Sequence, residues 1–390
     1  MATGRKACRL LLAAALLLTA ALPARGEEAG AAPAAMSLRN TELNNRGVQE
    51  AQAGRFEEAV KLLRQALSIS PADLQVKKNL SGILTDWAAQ LQEKGQLDQA
   101  MSALEEAHLH DPANAKALLL LGDLAYSTKD DLSAALLLWK KALPGVPSNH
   151  RQSLLDRISQ AERDVAIEKG FQAVQTEHFQ IRFEGQAEPE HLSQLSGVLE
   201  EWYGRLKANL GSGPSHVGVI VYAGDNFKRI AGRQDWTLGL YDGRIRLRLE
   251  DIGTGLMVPI IAHELAHAFL REKFGPRVPV WVHEGFAQAM EPARPLTPRE
   301  EEVQQGIISR NSWVPLKWLD KRFQQPSHLE DVERAYAQSK WAVSRLLERF
   351  GIPKFRQFLG EVSAGKPMEK AFDQAFAPLA WGRADAGNFD

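Results

Sequence analysis

The stretch IIAHELAHAFLR, residues 260–271, decides how the second half of the chain folds. Its large apolar residues recur every four positions, which predicts a helix with one buried face, at Ile261, Leu265 and Phe269. Pro259 suits the first turn of such a helix, and Gly275 followed by Pro276 ends it. The stretch is therefore predicted to be a core helix.

The same helix carries the motif H-E-x-x-H. His263 and His267 lie one turn apart on one side of the helix, so both imidazoles can reach one ion at about 2.0–2.1 Å. Glu264 falls beside them, within reach of a water molecule on that ion but outside the ligand set. In this pattern zinc lowers the pKa of the water and the glutamate takes its proton. The motif also arises by chance, so it indicates a metal site only if the sequence also supplies a third ligand.

A third ligand stands in PVWVHEGFAQAMEP, residues 279–292. Pro279 can open a second helix and Pro292 ends it. Glu284 lies 17 residues after His267, which leaves room for a short loop and for this helix to cross the metal. Gly285 allows the helix to pack closely beside the site. Two histidines, one carboxylate and an open fourth position are typical of a catalytic zinc site.

The N-terminus has the pattern of a secretory signal. Basic residues precede the uncharged run 10–22, and Ala24-Arg25-Gly26 offers small residues at a cleavage site. We predict a signal peptide over 1–26 with cleavage after Gly26, and a secreted or periplasmic protein without a stable membrane anchor. The run is shorter than the about 20 residues that span a bilayer, although an uncleaved anchor is the alternative.

Composition excludes several kinds of site and partner. Cys8 is the only cysteine and precedes the predicted cleavage site, so the mature chain would hold no disulfide, thiolate ligand or cysteine nucleophile. Any metal must then be held by histidine and carboxylate. With 47 basic and 48 acidic residues, the net charge of −1 gives no indication of a nucleic-acid partner.

Residues 39–170 show a recurring helical pattern, after a flexible lead-in predicted over 27–38. Alanines at equivalent positions recur in steps of 41 and 35 residues, at Ala59, Ala100 and Ala135. The pattern resembles three tetratricopeptide repeats, whose period is 34, with an insertion near 75–80 and a capping helix over 150–170. A generic helical bundle is the alternative. Such arrays bind a peptide or partner protein in a groove, but a spacer role fits the sequence equally well.

From residue 176 the pattern changes to strands followed by helices, which predicts an α+β domain. HFQIRFEG (178–185) alternates as a strand, a helix over 188–210 ends at Gly211, and HVGVIVYAG (216–224) reads as a central strand. The stretch 239–250 holds a turn at 241–243 and then a strand. That strand places three arginines on the face opposite its apolar residues, at Arg244, Arg246 and Arg248.

The HELAH motif followed by W-V-x-E-G-F-A resembles the gluzincin metallopeptidases, and residues 176–375 resemble the peptidase MA-like domain. The resemblance implies one Zn²⁺ held by His263, His267 and Glu284, with Glu264 as general base. It also suggests Tyr336 as the group that stabilises the oxyanion. His283 points away from the ligand side of its helix. Residues 376–390 are predicted to be a C-terminal tail.

In gluzincins a strand beside the metal helix pairs with extended substrate, and Arg244–Leu249 is our candidate for that strand. The alternative is an ordinary strand whose arginines are solvated. The overall prediction is a tetratricopeptide array followed by an α+β zinc metallopeptidase that hydrolyses peptides or proteins. A catalytically inactive scaffold and a zinc hydrolase of a non-peptide bond are the alternatives.

Overall fold

The computed structural model describes residues 31–128, 131–185, 188–231, 239–292, 298–309, 313–324, 329–385 and 387–389. The predicted signal peptide, its cleavage site, Cys8 and the start of the predicted lead-in lie outside these residues. Across the described ranges, the search for a helix with the length and apolar character to cross a bilayer finds none.

The N-terminal part of the described chain consists of helices that pack in pairs. Their bounds are α1 (Ala31–Gln52), α2 (Phe56–Ile69), α3 (Leu74–Glu93), α4 (Leu97–His110), α5 (Ala115–Thr128), α6 (Leu132–Ala142) and α7 (Ser148–Glu168). Helix α1 packs on α2, α3 on α4 and α5 on α6, and α7 covers α6. The predicted helix pairs and final covering helix are therefore present. We call α1–α7 the helical array.

Small residues let the two helices of each pair approach closely. The alanines at equivalent positions of α2, α4 and α6 are fully buried, at Ala59, Ala100 and Ala135. A Cβ on Gly47 of α1 would lie 2.9 Å from Leu63 Cγ, so this position admits no larger side chain without a shift. Close contact along each pair therefore depends on residues without bulk.

Two features of the array differ from the prediction. Helix α1 begins at Ala31, so residues 31–38 are helical and do not form a flexible lead-in. The region predicted to hold an insertion is also helical: α3 has 20 residues, whereas α5 has 14. Asp73 caps α3 by accepting hydrogen bonds from the backbone N–H groups of Gln75 and Val76. The additional residues lengthen a helix and do not form a loop.

A small mixed sheet begins the second part of the chain. Its strands are β1 (Gln172–Gln175), β2 (Phe179–Phe183), β3 (Val217–Tyr222), β4 (Gly239–Tyr241) and β5 (Ile245–Arg248), in the order β1-β2-β3-β5-β4. The inner pairs, β2–β3 and β3–β5, are parallel, whereas β1 and β4 join the edges as antiparallel strands. The predicted strands over 178–185 and 216–224 are confirmed, and β1 was missed.

Helices connect and cover this sheet. They are α8 (Pro189–Leu210), α9 (Gly224–Ala231), α10 (Met257–Phe274), α11 (Val280–Met290), α12 (Pro298–Ser309), α13 (Leu316–Gln324), α14 (Leu329–Ser363), α15 (Met368–Phe376) and α16 (Trp381–Asp385). The order of strands followed by helices agrees with the predicted α+β domain. Gly211 ends α8 with a left-handed φ of 90°, as the sequence indicated.

Two roles were predicted for the strand Arg244–Leu249, namely pairing with an extended substrate or forming an ordinary strand with solvated arginines, and both are wrong. Strand β5 is hydrogen-bonded to β3 on one side and to β4 on the other, so it has no free edge for an extended peptide. Arg244 and Arg246 are fully buried, so they are not solvated. Both guanidinium groups form ion pairs with carboxylates of α7, which the sequence pattern of the strand alone does not indicate.

The predicted C-terminal tail is also part of the core. Helix α16 lies within it, and the side chains of Trp381 and Phe389 are buried. Phe389 contacts Trp313 and Trp341 edge to face. These aromatic contacts bury enough apolar surface to fix residues 376–385 and 387–389 against the helices of the domain.

Candidate metal centre

The centre lies where α10 crosses α11 beside the sheet. Helix α10 begins at Met257, two residues before Pro259, and runs through the core with Ile261, Leu265 and Phe269 fully buried. Burial of this apolar face leaves His263 and His267 on the side facing α11. The left-handed Gly275 and the 3-10 turn Gly275–Arg277 end α10, as predicted, and the chain returns as α11.

Helix α11 brings Glu284 over the two histidines because its N-terminal end and one side are tightly held. Pro279 precedes it, and the carboxylate of Asp320 in α13 accepts a hydrogen bond of 3.0 Å from the N–H of Trp281. A Cβ on Gly285 would lie 2.6 Å from Val343 Cγ2 of α14. The close packing expected from this glycine is confirmed, with α14 as its partner.

The structure brings together the three predicted ligands. The Nε2 atoms of His263 and His267 lie 3.5 and 3.6 Å from Glu284 Oε2. One ligand atom from each residue lies within 4.8 Å of the other two. Ligands at about 2.1 Å around a tetrahedral ion stand roughly 3.4 Å apart, so these spacings fit one zinc ion.

The hydrogen bonding of Glu284 supports the same interpretation. Its Oε2 atom is buried and makes no hydrogen bond within the described structure. Burial opposes ionisation of this carboxyl, but interactions with His263 and His267 lower its pKa well below the usual range. A buried, ionised oxygen without a hydrogen-bond donor is expected where a cation completes the site.

Glu291 is a residue that the sequence analysis missed. Its Oε1 lies 2.9 Å from Nδ1 of His263, on the ring edge opposite the predicted ligand atom. Burial opposes protonation of His263, but Glu284 and Glu291 outweigh it and raise its pKa to about 10. A carboxylate on the outer nitrogen of a ligating histidine fixes the ring and its tautomer. The available signal was the seven-residue step from Glu284, which is two helical turns.

Glu264 lies beside the three ligands and outside their cluster. Its side chain is buried, and burial raises the pKa of this carboxyl. A Cβ on Gly239, the first residue of β4, would lie 2.9 Å from Glu264 Oε1. The lack of a side chain at Gly239 therefore lets the edge strand approach the glutamate. The proton-accepting role of Glu264 stays a prediction from the motif.

Two further residues border the centre. The ring of His283 stacks on that of His267 with centroids 5.8 Å apart, and burial followed by the His267 charge lowers the pKa of His283 to about 3. His283 lies outside the cluster of His263, His267 and Glu284. Tyr336 lies in α14, where burial and then the charges of Glu284 and Glu264 raise its pKa. Its hydroxyl therefore stays protonated at neutral pH.

The strands, α10 and α11 together frame a cluster of two histidines and a carboxylate beside a buried glutamate. In a comparison with protein families, residues 247–382 match the Peptidase MA superfamily. The matched segment begins in β5 and ends in α16, so it contains all three clustered residues and Glu264. A search of curated proteins finds none that matches the chain.

The family match supports a peptidase MA-like domain in the C-terminal part of the chain, and with it a hydrolase that acts on peptides or proteins. Peptidases of this superfamily are typically zinc-dependent. The cluster of His263, His267 and Glu284 supplies a donor set that zinc prefers.

Proposed function

We propose that the protein is a zinc-dependent metallopeptidase of the gluzincin type. His263, His267 and Glu284 hold one Zn²⁺, and Glu264 is the general base. The observation that carries this proposal is the approach of two imidazole nitrogens to Oε2 of Glu284, which is buried and accepts no hydrogen bond in the described structure. Without a metal, this oxygen faces only the two imidazole nitrogens at 3.5 and 3.6 Å, which are longer than ordinary hydrogen bonds to a carboxylate.

When bound, the zinc ion would acidify a water molecule and polarise the carbonyl of the substrate. Glu264 takes the proton of the attacking water and passes it to the leaving amine. Its buried setting suits this exchange because a raised pKa brings a carboxylate closer to neutral pH. Tyr336 donates a hydrogen bond to the oxygen that becomes negatively charged in the transition state.

We further propose that residues 39–170 are tetratricopeptide repeats with a capping helix, and that the peptidase domain begins near residue 176. The paired helices and the fully buried alanines at equivalent positions support the repeat assignment. The basic and then apolar start of the chain supports export to the periplasm or outside the cell, with cleavage after Gly26.

The test combines zinc content with a peptide-library cleavage profile for the mature protein and Glu264→Gln. The parent protein should hold about one zinc per chain and cleave peptides. The variant should keep its zinc and lose at least 10²-fold in kcat, because the general base is gone while the ligands are intact. Glu369→Gln, an exposed change at the start of α15, is the control and should match the parent.

Three results contradict the proposal. A Glu264→Gln protein that cleaves as fast as the parent excludes Glu264 as the base. A parent protein that takes up no zinc overturns the ligand assignment. Stoichiometric zinc with no cleavage of any library peptide favours the inactive scaffold, or a hydrolase of another bond.

A further inference from the structure

The hairpin formed by β4, the turn Asp242–Arg244 and β5 connects the helical array to the candidate metal centre. Its first residue, Gly239, lies against Glu264, as described above. Its turn and its second strand lie against α5 and α7 of the array. One short hairpin therefore contacts both the proton-accepting glutamate and the array.

Buried ion pairs hold the β5 strand of the hairpin to α7. Oδ2 of Asp164 accepts hydrogen bonds of 2.9 Å from Arg244 and 2.6 Å from Arg246. Glu168, one turn further along α7, accepts a hydrogen bond of 3.1 Å from Arg244. Both arginines and Asp164 are fully excluded from solvent, so water cannot replace a lost partner.

Tyrosine side chains extend the network on both sides. The hydroxyl of Tyr126 in α5 accepts a hydrogen bond of 2.7 Å from Arg246 and donates one of 3.0 Å to Asp242 in the turn. The hydroxyl of Tyr222 in β3 donates a hydrogen bond of 2.6 Å to Glu168. Although burial opposes its ionisation, Arg246 and then Arg244 lower the pKa of Asp242. The turn is thus fixed by charge as well as by shape.

The turn also packs directly on the end of α5. Gly243 has a φ of 107°, and a Cβ there would lie 2.9 Å from Cβ of Ser127. The array therefore contacts the hairpin at its turn and along β5. The remaining strand, β4, has three residues and gets its position from its pairing with β5. Strand β4 also packs directly on α10, so its position over Glu264 depends both on that contact and on how the ion pairs hold β5.

We propose that Asp164 of the array is a positioning residue for the metal centre, because it holds the β4–β5 hairpin in place against Glu264. The array is then an integral part of the catalytic unit and not a separate docking module. This inference rests on the proposed function for its catalytic consequence, but the mechanical coupling from α7 to β4 stands without it.

The test compares Asp164→Asn, which keeps the shape of the side chain and removes its charge, with Glu162→Gln on the same helix. Glu162 pairs with Lys140 at 2.7 Å on the exposed side of α7, so its loss should change little. Both variants are measured at a temperature where circular dichroism shows them fully folded. The readouts are the Kd for zinc, hydrogen exchange of the β4 amides, and kcat at saturating zinc.

For Asp164→Asn we expect at least tenfold faster exchange in β4 and at least a tenfold fall in kcat, with the zinc Kd within twofold of the parent. The zinc Kd stays because all three ligands lie on α10 and α11. A role limited to fold stability would speed exchange in all strands alike, and would leave kcat and the zinc Kd of the folded variant unchanged. Asp164→Glu, which keeps the charge, should recover part of the lost kcat.

If Asp164→Asn does not fold, Tyr126→Phe serves instead, since it removes one hydroxyl and keeps the ring and all charges. We expect the same direction of change at about three- to tenfold. Exchange in β4 and kcat equal to those of Glu162→Gln would overturn the inference. If the parent protein cleaves no peptide, the proposed function fails, and exchange in β4 alone then decides for or against the coupling.

Discussion

The contact between Glu291 and His263 gives a quantitative test of the candidate metal centre. Replacing Glu291 with Gln keeps a carbonyl oxygen that can accept from Nδ1 but removes the charge, whereas Ala removes the partner entirely. The bond spans 2.9 Å in a mostly buried setting, so it belongs to the stronger, charge-assisted class. Loss of such an outer partner weakens metal binding about 10–100-fold, or roughly 1.4–2.7 kcal/mol.

A graded loss of zinc affinity is therefore expected, near tenfold for Gln and near a hundredfold for Ala. The pH dependence of this loss follows from the pKa of His263. Without metal, that pKa of about 10 means that zinc displaces a proton from the ring at pH 7. Removing Glu291 lowers the pKa of His263, so a proton competes less with zinc for the ring, and this offsets part of the loss of zinc affinity. The proton competes less in any case as pH rises. The loss of zinc affinity should therefore be larger at pH 9 than at pH 6.5.

The assay is competition for zinc against a chromophoric chelator at both pH values, with Glu369→Gln as the control for a surface charge. Thermal denaturation of the metal-free proteins checks that each variant folds. If Glu291→Ala bound zinc as tightly as the control at both pH values, Glu291 would have no part in orienting His263. A loss that decreases with pH would refute the proton-competition argument while leaving the contact intact.

Two further substitutions should change the stability of the fold, one through helix packing beside the centre and one through a carboxyl group on α10. Gly285→Ala should destabilise the fold by about 1–3 kcal/mol in urea denaturation, because the new Cβ meets α14; Gly360→Ala, with open space around it in α14, should be neutral or stabilising. For Glu272 near the end of α10, burial and then Asp98 raise the pKa to about 7. The folded protein therefore binds this proton more tightly than the unfolded chain does. The stability that depends on the protonated carboxyl is complete below about pH 4.5 and is lost as pH rises through 7. Glu272→Gln should therefore match the parent at pH 4.5 and exceed its stability at pH 8 by about 2–3 kcal/mol, and equal stability at both pH values would contradict the raised pKa.

The predicted ligands could be recognised from sequence because their geometry is mostly local. His263, Glu264 and His267 share one helix, so helical periodicity alone places them together. Glu284 required only a second helix of the right length after a turn. Glu291 was missed because a lone carboxylate at a helix end is usually solvated. Its role depends on which way α11 crosses α10, and that crossing is set by contacts with α13 and α14.

The arginines of β5 show why the contacts between the helical array and the sheet could not be predicted. An alternating strand with charges on one face is typical of a sheet with one solvated side. Arg244 and Arg246 instead face α7, and the acidic partners lie about 80 residues earlier in the chain, where Asp164 and Glu168 look like ordinary polar positions of an amphipathic helix. Only the packing of the array on the sheet turns these residues into a buried network.

The length of α3 places the turn that follows it against the peptidase-like domain. At the turn after α3, a Cβ on Gly95 would lie 2.6 Å from the carbonyl oxygen of Glu272, at the end of α10. Conversely, a Cβ on Gly275 would lie 2.5 Å from the carbonyl oxygen of Glu93. Arg277 and Glu93 form an ion pair across the same contact.

Both glycines at this contact have left-handed φ angles, so each lacks a side chain for two separate reasons. A helix with the 14 residues of α5 in place of the 20 of α3 would end about 9 Å earlier, at 1.5 Å per residue. The turn would then fall short of α10. Helix α3 thus belongs to a helix pair whose turn contacts the helix with the H-E-x-x-H motif. Together with the α7 network, this contact fixes the array at two separate points around the candidate centre, which is the arrangement expected of helices that fold with a catalytic domain as one unit.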